Sequence, residues 1–147
     1  MLSRLKRVEF YSSGGCDIGS RPIDMHLAAL SKMGVDVCCD SGVITASKSP
    51  HGADIFLRFA SVGATENIIL AACLAKGETV INNAAREPEI VDLADFLNKC
   101  GAKIYGAGTS KIFIIGVPYI SGTEHTVIPD RIETVTYMCA AAVTGGS

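Results

Sequence analysis

A segment of this chain recurs 69 residues further on, and this recurrence constrains the fold more than any other feature. Residues 65–72 align without gaps with residues 134–141. A second set of matches, offset by 67 residues, aligns Leu30, Lys32 and Gly34 with Leu97, Lys99 and Gly101. The chain is therefore predicted to consist of repeated units, each with one apolar and one amphipathic helix.

The hydrophobic pattern predicts the elements of this unit. Apolar runs and alternations indicate strands over residues 7–11, 35–37, 43–45, 54–59, 79–82, 103–105 and 111–115. Helices are predicted from Pro22 to Gly34, over residues 63–77 and over residues 88–100. The helix at residues 63–77 is apolar on nearly every side, so it has to be buried on most of its surface. The predicted fold class is therefore α/β with buried apolar helices.

Composition excludes several classes of protein. A chain of 147 residues with 48% hydrophobic and 19% charged residues can bury one core, or a small domain plus part of another. The net charge of -2 and the lack of a basic patch argue against a nucleic-acid partner. The longest apolar run, residues 68–75, is too short to span a bilayer, and the amino end lacks the apolar centre of a signal peptide. We expect a cytoplasmic protein.

The cysteines and histidines give no metal pattern. The six cysteines form no CxxC pair, and three histidines are present. We therefore expect reduced thiols without a metal ion.

Cys16 is the strongest candidate for chemistry. It follows Gly14 and Gly15, and Arg21 lies five residues further on. Glycines let a backbone approach a ligand closely, and a nearby cation stabilises the reactive thiolate and attracts anionic substrates. On the loop alone, a cysteine without a role is equally consistent with the sequence.

Four separated motifs follow one another along the chain: residues 14–26, 61–67, 83–92 and 128–133. Together they closely resemble the UDP-N-acetylglucosamine 1-carboxyvinyltransferase family of enolpyruvyl transferases, which is related to EPSP synthase. The resemblance covers almost all of this chain and about the middle third of the family's length. It implies an inside-out α/β barrel of βαβαββ units, arranged in two domains that close over the substrates. Residues 1–128 are then part of the first domain, and residues 129–147 are the crossover and first helix of the second.

The resemblance implies transfer of enolpyruvyl from phosphoenolpyruvate to the 3-hydroxyl of UDP-N-acetylglucosamine with release of phosphate, the first committed step of peptidoglycan synthesis. By the same match, Cys16 donates a proton to the methylene carbon of phosphoenolpyruvate and forms a covalent adduct with it. Protonation leaves an oxocarbenium-like centre that a hydroxyl or a thiolate can attack. No cofactor is implied.

The match assigns the uracil pocket to the residues after the glycine loop. Arg21 and Pro22 correspond to residues that sandwich the ring, and the pocket is completed by Ile23, Asp24 and Met25. A guanidinium stacks well on a base, and a carboxylate can accept a hydrogen bond from the uracil imide. Helix capping and a surface ion pair are the alternatives for Arg21 and Asp24.

A second segment is matched to the diphosphate and consists of Phe59, Ala60, Ser61, Val62 and Gly63. A strand ends here and a helix begins, so free amides point at any anion bound there. Capping by Ser61 is compatible with that role. Many family members have Pro in place of Ala60 and Gly in place of Val135. His26 either contacts the nucleotide or is satisfied on its helix flank.

Three further groups are interpreted as mainly structural. An ion-pair and capping cluster is formed by Arg86, Glu87 and Glu89. A network that could reach the cleft lies where the chain crosses between domains, at Asp130, Arg131 and Glu133. Cysteines that lie in helices and fill core space are Cys73, Cys100 and Cys139, while Cys38 and Cys39 lie beside a turn.

Two other functions remain open at this stage. The family supplies further residues from elsewhere, including the aspartate that acts as base on the sugar hydroxyl. The chain alone could therefore be an inactive fragment that at most binds nucleotide sugar. An enolpyruvylshikimate-phosphate synthase-like enzyme shares the architecture but has no counterpart of the Gly-Gly-Cys loop.

Overall fold

The computed structural model describes residues 2–11 and 23–146. The described strands are β1 (Arg7–Tyr11), β2 (Asp36–Asp40), β3 (Val43–Ser47), β4 (Asp54–Phe56), β5 (Glu78–Asn82), β6 (Lys103–Tyr105) and β7 (Lys111–Ile115). The described helices are α1 (Leu2–Leu5), α2 (Asp24–Lys32), α3 (Val62–Ala72), α4 (Pro88–Lys99) and α5 (Arg131–Thr144).

Strands β4 to β7 with helices α3 and α4 form one complete βαβαββ unit. Their sheet has the order β4-β5-β7-β6. Strands β4 and β5 are parallel, with α3 as the crossover between them, and the other two pairings are antiparallel. The register places Ile55 beside Ile81 and Ile81 beside Ile112, so one face of the sheet is apolar. The predicted unit is confirmed.

Strands β1, β2 and β3 repeat the last three strands of that unit. Their antiparallel sheet has the order β1-β3-β2, which matches β5-β7-β6. Helix α2 corresponds to α4, and both end in the same way. Gly34 and Gly101 adopt φ angles of +82° and +102°. The next amides, those of Val35 and Ala102, bond at 3.0 Å to carbonyl groups five residues back. Such a left-handed helix cap favours glycine, which explains why a glycine follows both α2 and α4 in the repeat.

Helix α3 lies in the core, as its apolar composition predicts. Ala64, Ile68, Ile69 and Ala72 are almost fully buried and pack against the apolar face of the four-stranded sheet. Each buried isoleucine contributes about 1.5–3 kcal/mol through removal of its side chain from water. Leu70 departs from the prediction, because it remains 51% exposed.

The strand predicted at residues 54–59 ends earlier than the sequence indicates. Strand β4 stops at Phe56, and the Leu57 amide still bonds to the Asn82 carbonyl at 3.0 Å. Residues 58–60 then leave the sheet as an exposed connection to α3. The short helix α1 was not predicted from the sequence.

Helix α5 occurs where the repeat predicts it, but it is exposed at nearly every position. The prediction that Cys139 fills core space is therefore wrong, because this helix does not pack into the core that buries α3. Cys73 and Cys100 are buried as predicted, at the ends of α3 and α4. Within the described ranges, no helix combines the length and apolar character needed to cross a membrane.

Candidate functional site

The connections that follow β4 and β5 meet at one end of the four-stranded sheet. Asn83 donates from Nδ2 to the Leu57 carbonyl at 2.9 Å. Thr65, which is fully buried, donates from Oγ1 to the Ser61 carbonyl at 2.8 Å and accepts from the Ala85 amide at 3.1 Å. Ligands of α/β proteins bind at this carboxyl end of parallel strands. The hydrogen bonds therefore hold the start of α3 at the end of the sheet where a ligand is expected.

The start of α3 offers an anion site. Ser61 is the N-cap, and its Oγ accepts from the Ala64 amide at 3.3 Å. The amides of Val62 and Gly63 lie before the first intrahelical bond, so they remain available to an anion. The helix dipole adds to their attraction for negative charge. The predicted cap at Ser61 is confirmed, while diphosphate binding stays a prediction.

His26 joins α2 to the start of α3. Its Nδ1 lies 3.0 Å from Asn67 Nδ2, which also donates to the Gly63 carbonyl at 2.9 Å. Because the Asn67 amide group donates, His26 Nδ1 acts as the acceptor in this pair. A Cβ at Gly63 would lie 3.4 Å from His26 Cε1, an ordinary van der Waals contact, so the ring packs directly against the start of α3. His26 is thus satisfied on the helix flank, which was one of its two predicted roles.

Asp24 and Arg58 form a second link between the two predicted binding segments. Arg58 Nη2 donates to Asp24 Oδ2 in an ion pair. The same guanidinium lies over the Phe59 ring, 5.8 Å from its centroid. The surface ion pair expected as an alternative for Asp24 is therefore present. Arg58 was missed by sequence analysis because the predicted strand extended through it.

A shallow cavity of about 210 Å³ lies between α2 and β4, beside this ion pair. Its lining includes Asp24, Met25, Ala28, Lys32, Phe56 and Arg58. Met25 is 8% exposed and belongs mostly to the core, whereas Ile23 and Phe59 are exposed. Cys16, Arg21 and Pro22 lie outside the described residues.

The charged cluster before α4 forms an ion pair with the crossover segment. Arg131 Nε donates to Glu89 Oε1 at 2.8 Å. This hydrogen bond lowers the pKa of Glu89 and raises the pKa of Arg131. Asp130 caps α5 by accepting from the amides of Ile132 and Glu133 at 2.8 and 3.2 Å. Glu87 does not cap α4 with its side chain and instead accepts from the Arg86 amide at 2.8 Å.

Sequence analysis also missed His125, which links the connection between β7 and α5 to α4. Its Nε2 lies 2.9 Å from Asp92 Oδ1, and its Nδ1 lies 3.3 Å from Lys99 Nζ. Its ring meets Phe96 edge to face, with centroids 5.5 Å apart. An isolated histidine in a polar stretch gives no sequence signal for such a contact. The pair lies at the wall of an apolar cavity of about 640 Å³ between α4 and residues 123–132.

Comparison with known proteins places this arrangement in a family. The model of the EPSP synthase family, described as 3-phosphoshikimate 1-carboxyvinyltransferase, matches residues 1–147. The chain belongs to the EPSP synthase family.

Two solved structures of this fold superpose well on it. An enolpyruvyl transferase, NikO from Streptomyces tendae, has a TM-score of 0.76 at 22% identity and covers 95% of this chain and 34% of its own. An EPSP synthase from Acinetobacter baumannii has a TM-score of 0.70 at 24% identity, with coverages of 97% and 32%.

Relatives with higher sequence identity share one name within the EPSP synthase family. The UDP-N-acetylglucosamine 1-carboxyvinyltransferase of Finegoldia magna is 54% identical over 148 residues, which cover 99% of this chain and 35% of the relative. The corresponding protein of Azorhizobium caulinodans is 56% identical over 149 residues, with coverages of 99% and 34%. The chain thus spans about a third of the length of the curated relatives it matches.

Proposed function

We propose that this chain is the part of a UDP-N-acetylglucosamine 1-carboxyvinyltransferase that carries the proton-donating loop and the nucleotide contacts. The proposed reaction transfers enolpyruvyl from phosphoenolpyruvate to the 3-hydroxyl of UDP-N-acetylglucosamine and releases phosphate. The observation that carries the proposal is an identity of 53–56% to relatives of that name, along essentially the whole chain. The structures that are 22–24% identical support the fold alone.

The geometry of the described residues supports the nucleotide-binding part of the proposal. Asp24 and His26 begin α2, while Ser61 and Gly63 begin α3, about 37 residues later in sequence. The Asp24–Arg58 and His26–Asn67 contacts hold these two helix starts side by side. A uracil at the start of α2 and a diphosphate at the start of α3 would therefore occupy adjoining sites.

The chemical part of the proposal rests on Cys16 and on the match to the relatives. Cys16 lies eight residues before Asp24, which begins α2 at the proposed nucleotide site. In this role the thiol protonates the methylene carbon of phosphoenolpyruvate, and the sugar hydroxyl, losing its proton, then attacks the cationic centre. Departure of phosphate and loss of a proton from the new methyl group leave the enolpyruvyl ether. The thiolate of Cys16 can also attack the cationic centre and form the covalent adduct.

The proposal extends to the organisation and setting of the protein. Residues 1–128 belong to the first domain, and residues 129–147 are the crossover and first helix of the second. The substrates are small molecules, and we propose neither nucleic acid nor a membrane as partner. The reaction is placed in the cytoplasm, at the first committed step of peptidoglycan synthesis.

The test uses the protein expressed from its complete gene and follows phosphate release from phosphoenolpyruvate. UDP-N-acetylglucosamine should support turnover, and 3-phosphoshikimate should not. Cys16→Ser should keep its affinity for the nucleotide sugar and lose most turnover, because a hydroxyl is a much weaker acid than a thiol. Cys38→Ser is the matched control, since that exposed thiol lies on β2. Turnover with 3-phosphoshikimate, or full turnover by Cys16→Ser, would contradict the proposal.

A second readout is selective alkylation by an epoxide phosphonate such as fosfomycin. The phosphonate resembles the phosphate of phosphoenolpyruvate, so the reagent should be bound beside Cys16 and modify it first. Peptide mass mapping identifies the modified residue. Earlier modification of Cys38 or Cys39 would count against the assigned role of Cys16.

A further inference from the structure

Arg58 connects the two segments of the proposed nucleotide site. Its guanidinium bonds to Asp24 at the start of α2 and lies over the ring of Phe59, just before the start of α3. It is the adjacent residue in sequence to Phe59, yet it lies 34 residues from Asp24. One exposed cation therefore contacts a member of each segment.

The ion pair uses one oxygen of the Asp24 carboxylate. Arg58 Nη2 bonds to Oδ2, and within the described residues Oδ1 contacts no hydrogen-bond donor. A carboxylate fixed through one oxygen keeps its second oxygen in a set direction, where it can accept from an N–H group.

The ion pair of Arg58 with Asp24 contributes little to stability. An effect of removing it on nucleotide binding can therefore be measured in a folded protein. The side chains of Arg58 and Asp24 are 63% and 49% exposed. Ion pairs at such exposure are screened by water and salt, so their loss leaves most proteins folded. The pair of Lys48 with Asp36 has closely similar exposures, 64% and 60%, and lies on the other sheet. Lys48 therefore offers a matched control.

We infer that Arg58 is a positioning residue for nucleotide recognition, which holds the Asp24 carboxylate ready to accept the imide N–H of uracil. This inference rests on the proposed function and adds to it a residue that acts through Asp24 without touching the substrate. The ring of Phe59 lies 5.8 Å from the same guanidinium and adds a cation–π contact to it. A base without an imide N–H offers Asp24 no donor at that atom.

The test measures UDP-N-acetylglucosamine binding and steady-state kinetics in the protein expressed from its complete gene. Arg58→Gln should raise Kd and the KM for the nucleotide sugar about three- to tenfold, the scale of coupling between residues in contact. The value of kcat and the KM for phosphoenolpyruvate should stay within about twofold. Arg58→Lys should recover part of the affinity, because it keeps the charge but loses the planar group that lies over Phe59, and Lys48→Gln should change neither constant.

A double-mutant cycle with Asp24→Asn decides whether Arg58 acts through Asp24. In the Asp24→Asn background, Arg58→Gln should change Kd less than about twofold. The same loss in both backgrounds would overturn the inference by making Arg58 a direct contact. If the parent protein binds the nucleotide sugar, an unchanged Kd in Arg58→Gln alone would overturn the inference as well. Failure of the parent protein to bind the nucleotide sugar would overturn the proposed function, and this inference with it.

Discussion

At the scale of single residues, the described cysteines differ most in how far their thiols are buried. Burial raises the pKa of Cys73 from 9.0 to about 11, and neighbouring Cys100 adds to the shift. Cys38, Cys39 and Cys139 are exposed. Because the thiolate is the nucleophile, the described cysteines should fall into two classes of reactivity.

We therefore predict that iodoacetamide at pH 8 modifies Cys38, Cys39 and Cys139 well before Cys73. With a pKa of about 11, only about 0.1% of Cys73 is thiolate at pH 8, and the side chain is also 1% exposed. Timed alkylation followed by peptide mass mapping gives the order, and modification in urea supplies the control. Native Cys73 reacting as fast as Cys38 would contradict the burial of this thiol.

Because Glu89 and Arg131 form an ion pair, the titration of the Glu89 carboxyl should depend on the presence of Arg131. The hydrogen bond from Arg131 lowers the pKa of Glu89 below its usual 4.5. The contribution of this ion pair to the stability of the fold is thus complete above pH 4.5. It is lost as the pH falls through the lowered pKa of Glu89.

Arg131→Gln should return the NMR titration midpoint of the Glu89 carboxyl upward toward 4.5. Arg86→Gln is the control, since the bond of Arg86 in this cluster is from its backbone amide to Glu87. An unchanged midpoint in Arg131→Gln would show that the pair does not form in solution.

At the scale of elements, the glycine caps of α2 and α4 are where sequence and structure agree best. Both glycines end their helices in the left-handed region, and the same two hydrogen bonds follow each. The local sequence fixes such caps, because an amphipathic run followed by glycine has few other ways to satisfy the last carbonyl groups. The strands and the buried α3 were predictable for a related reason, since they follow hydrophobic periodicity.

Gly101→Ala should lower the free energy of unfolding by about 1–2 kcal/mol, the cost of a left-handed residue that carries a Cβ. A Cβ at Gly101 would meet no atom within 4 Å, so the loss comes from the backbone rather than from a clash. Gly122→Ala is the matched control, because its φ is not positive and its surroundings are equally open. Urea unfolding measures both variants, and equal stability of the two would contradict the assigned cap.

Contacts between distant segments were the part that the sequence did not reveal. The Asp24–Arg58 pair depends on β4 ending at Phe56, a boundary that hydrophobic alternation placed three residues too late. The His125–Asp92 pair needs the connection between β7 and α5 to fold back on α4. Neither arrangement leaves a periodic signal, because each is made by single side chains from two parts of the chain. The sequence therefore shows the motifs of the proposed site, but it does not show the contacts that link them.

At the scale of the whole molecule, the two ends of the chain differ in how they are packed. The described residues up to 115 form the two sheets and their helices. Gly116 and Val117 then bond to Gly77 and Cys73, and residues 121–125 contact α4 before the chain leads to α5. Helix α5 exposes Ile132, Val135, Tyr137, Met138 and Val143. Its counterpart in the repeat, α3, is buried among sheet residues. The core therefore closes around α3, and α5 lies outside it.

The 147-residue chain expressed by itself should bind UDP-N-acetylglucosamine weakly and release no phosphate from phosphoenolpyruvate. Both helix starts of the proposed nucleotide site are present, held together by the contacts of Arg58 and His26, so part of the affinity should remain. A cleft enzyme needs both walls to exclude water and align its substrates, and this chain spans about a third of its relatives. Calorimetric titration and a phosphate assay measure the two properties separately, with Cys16→Ser as the control. Turnover that disappears in Cys16→Ser would show that the catalytic groups all lie within these 147 residues.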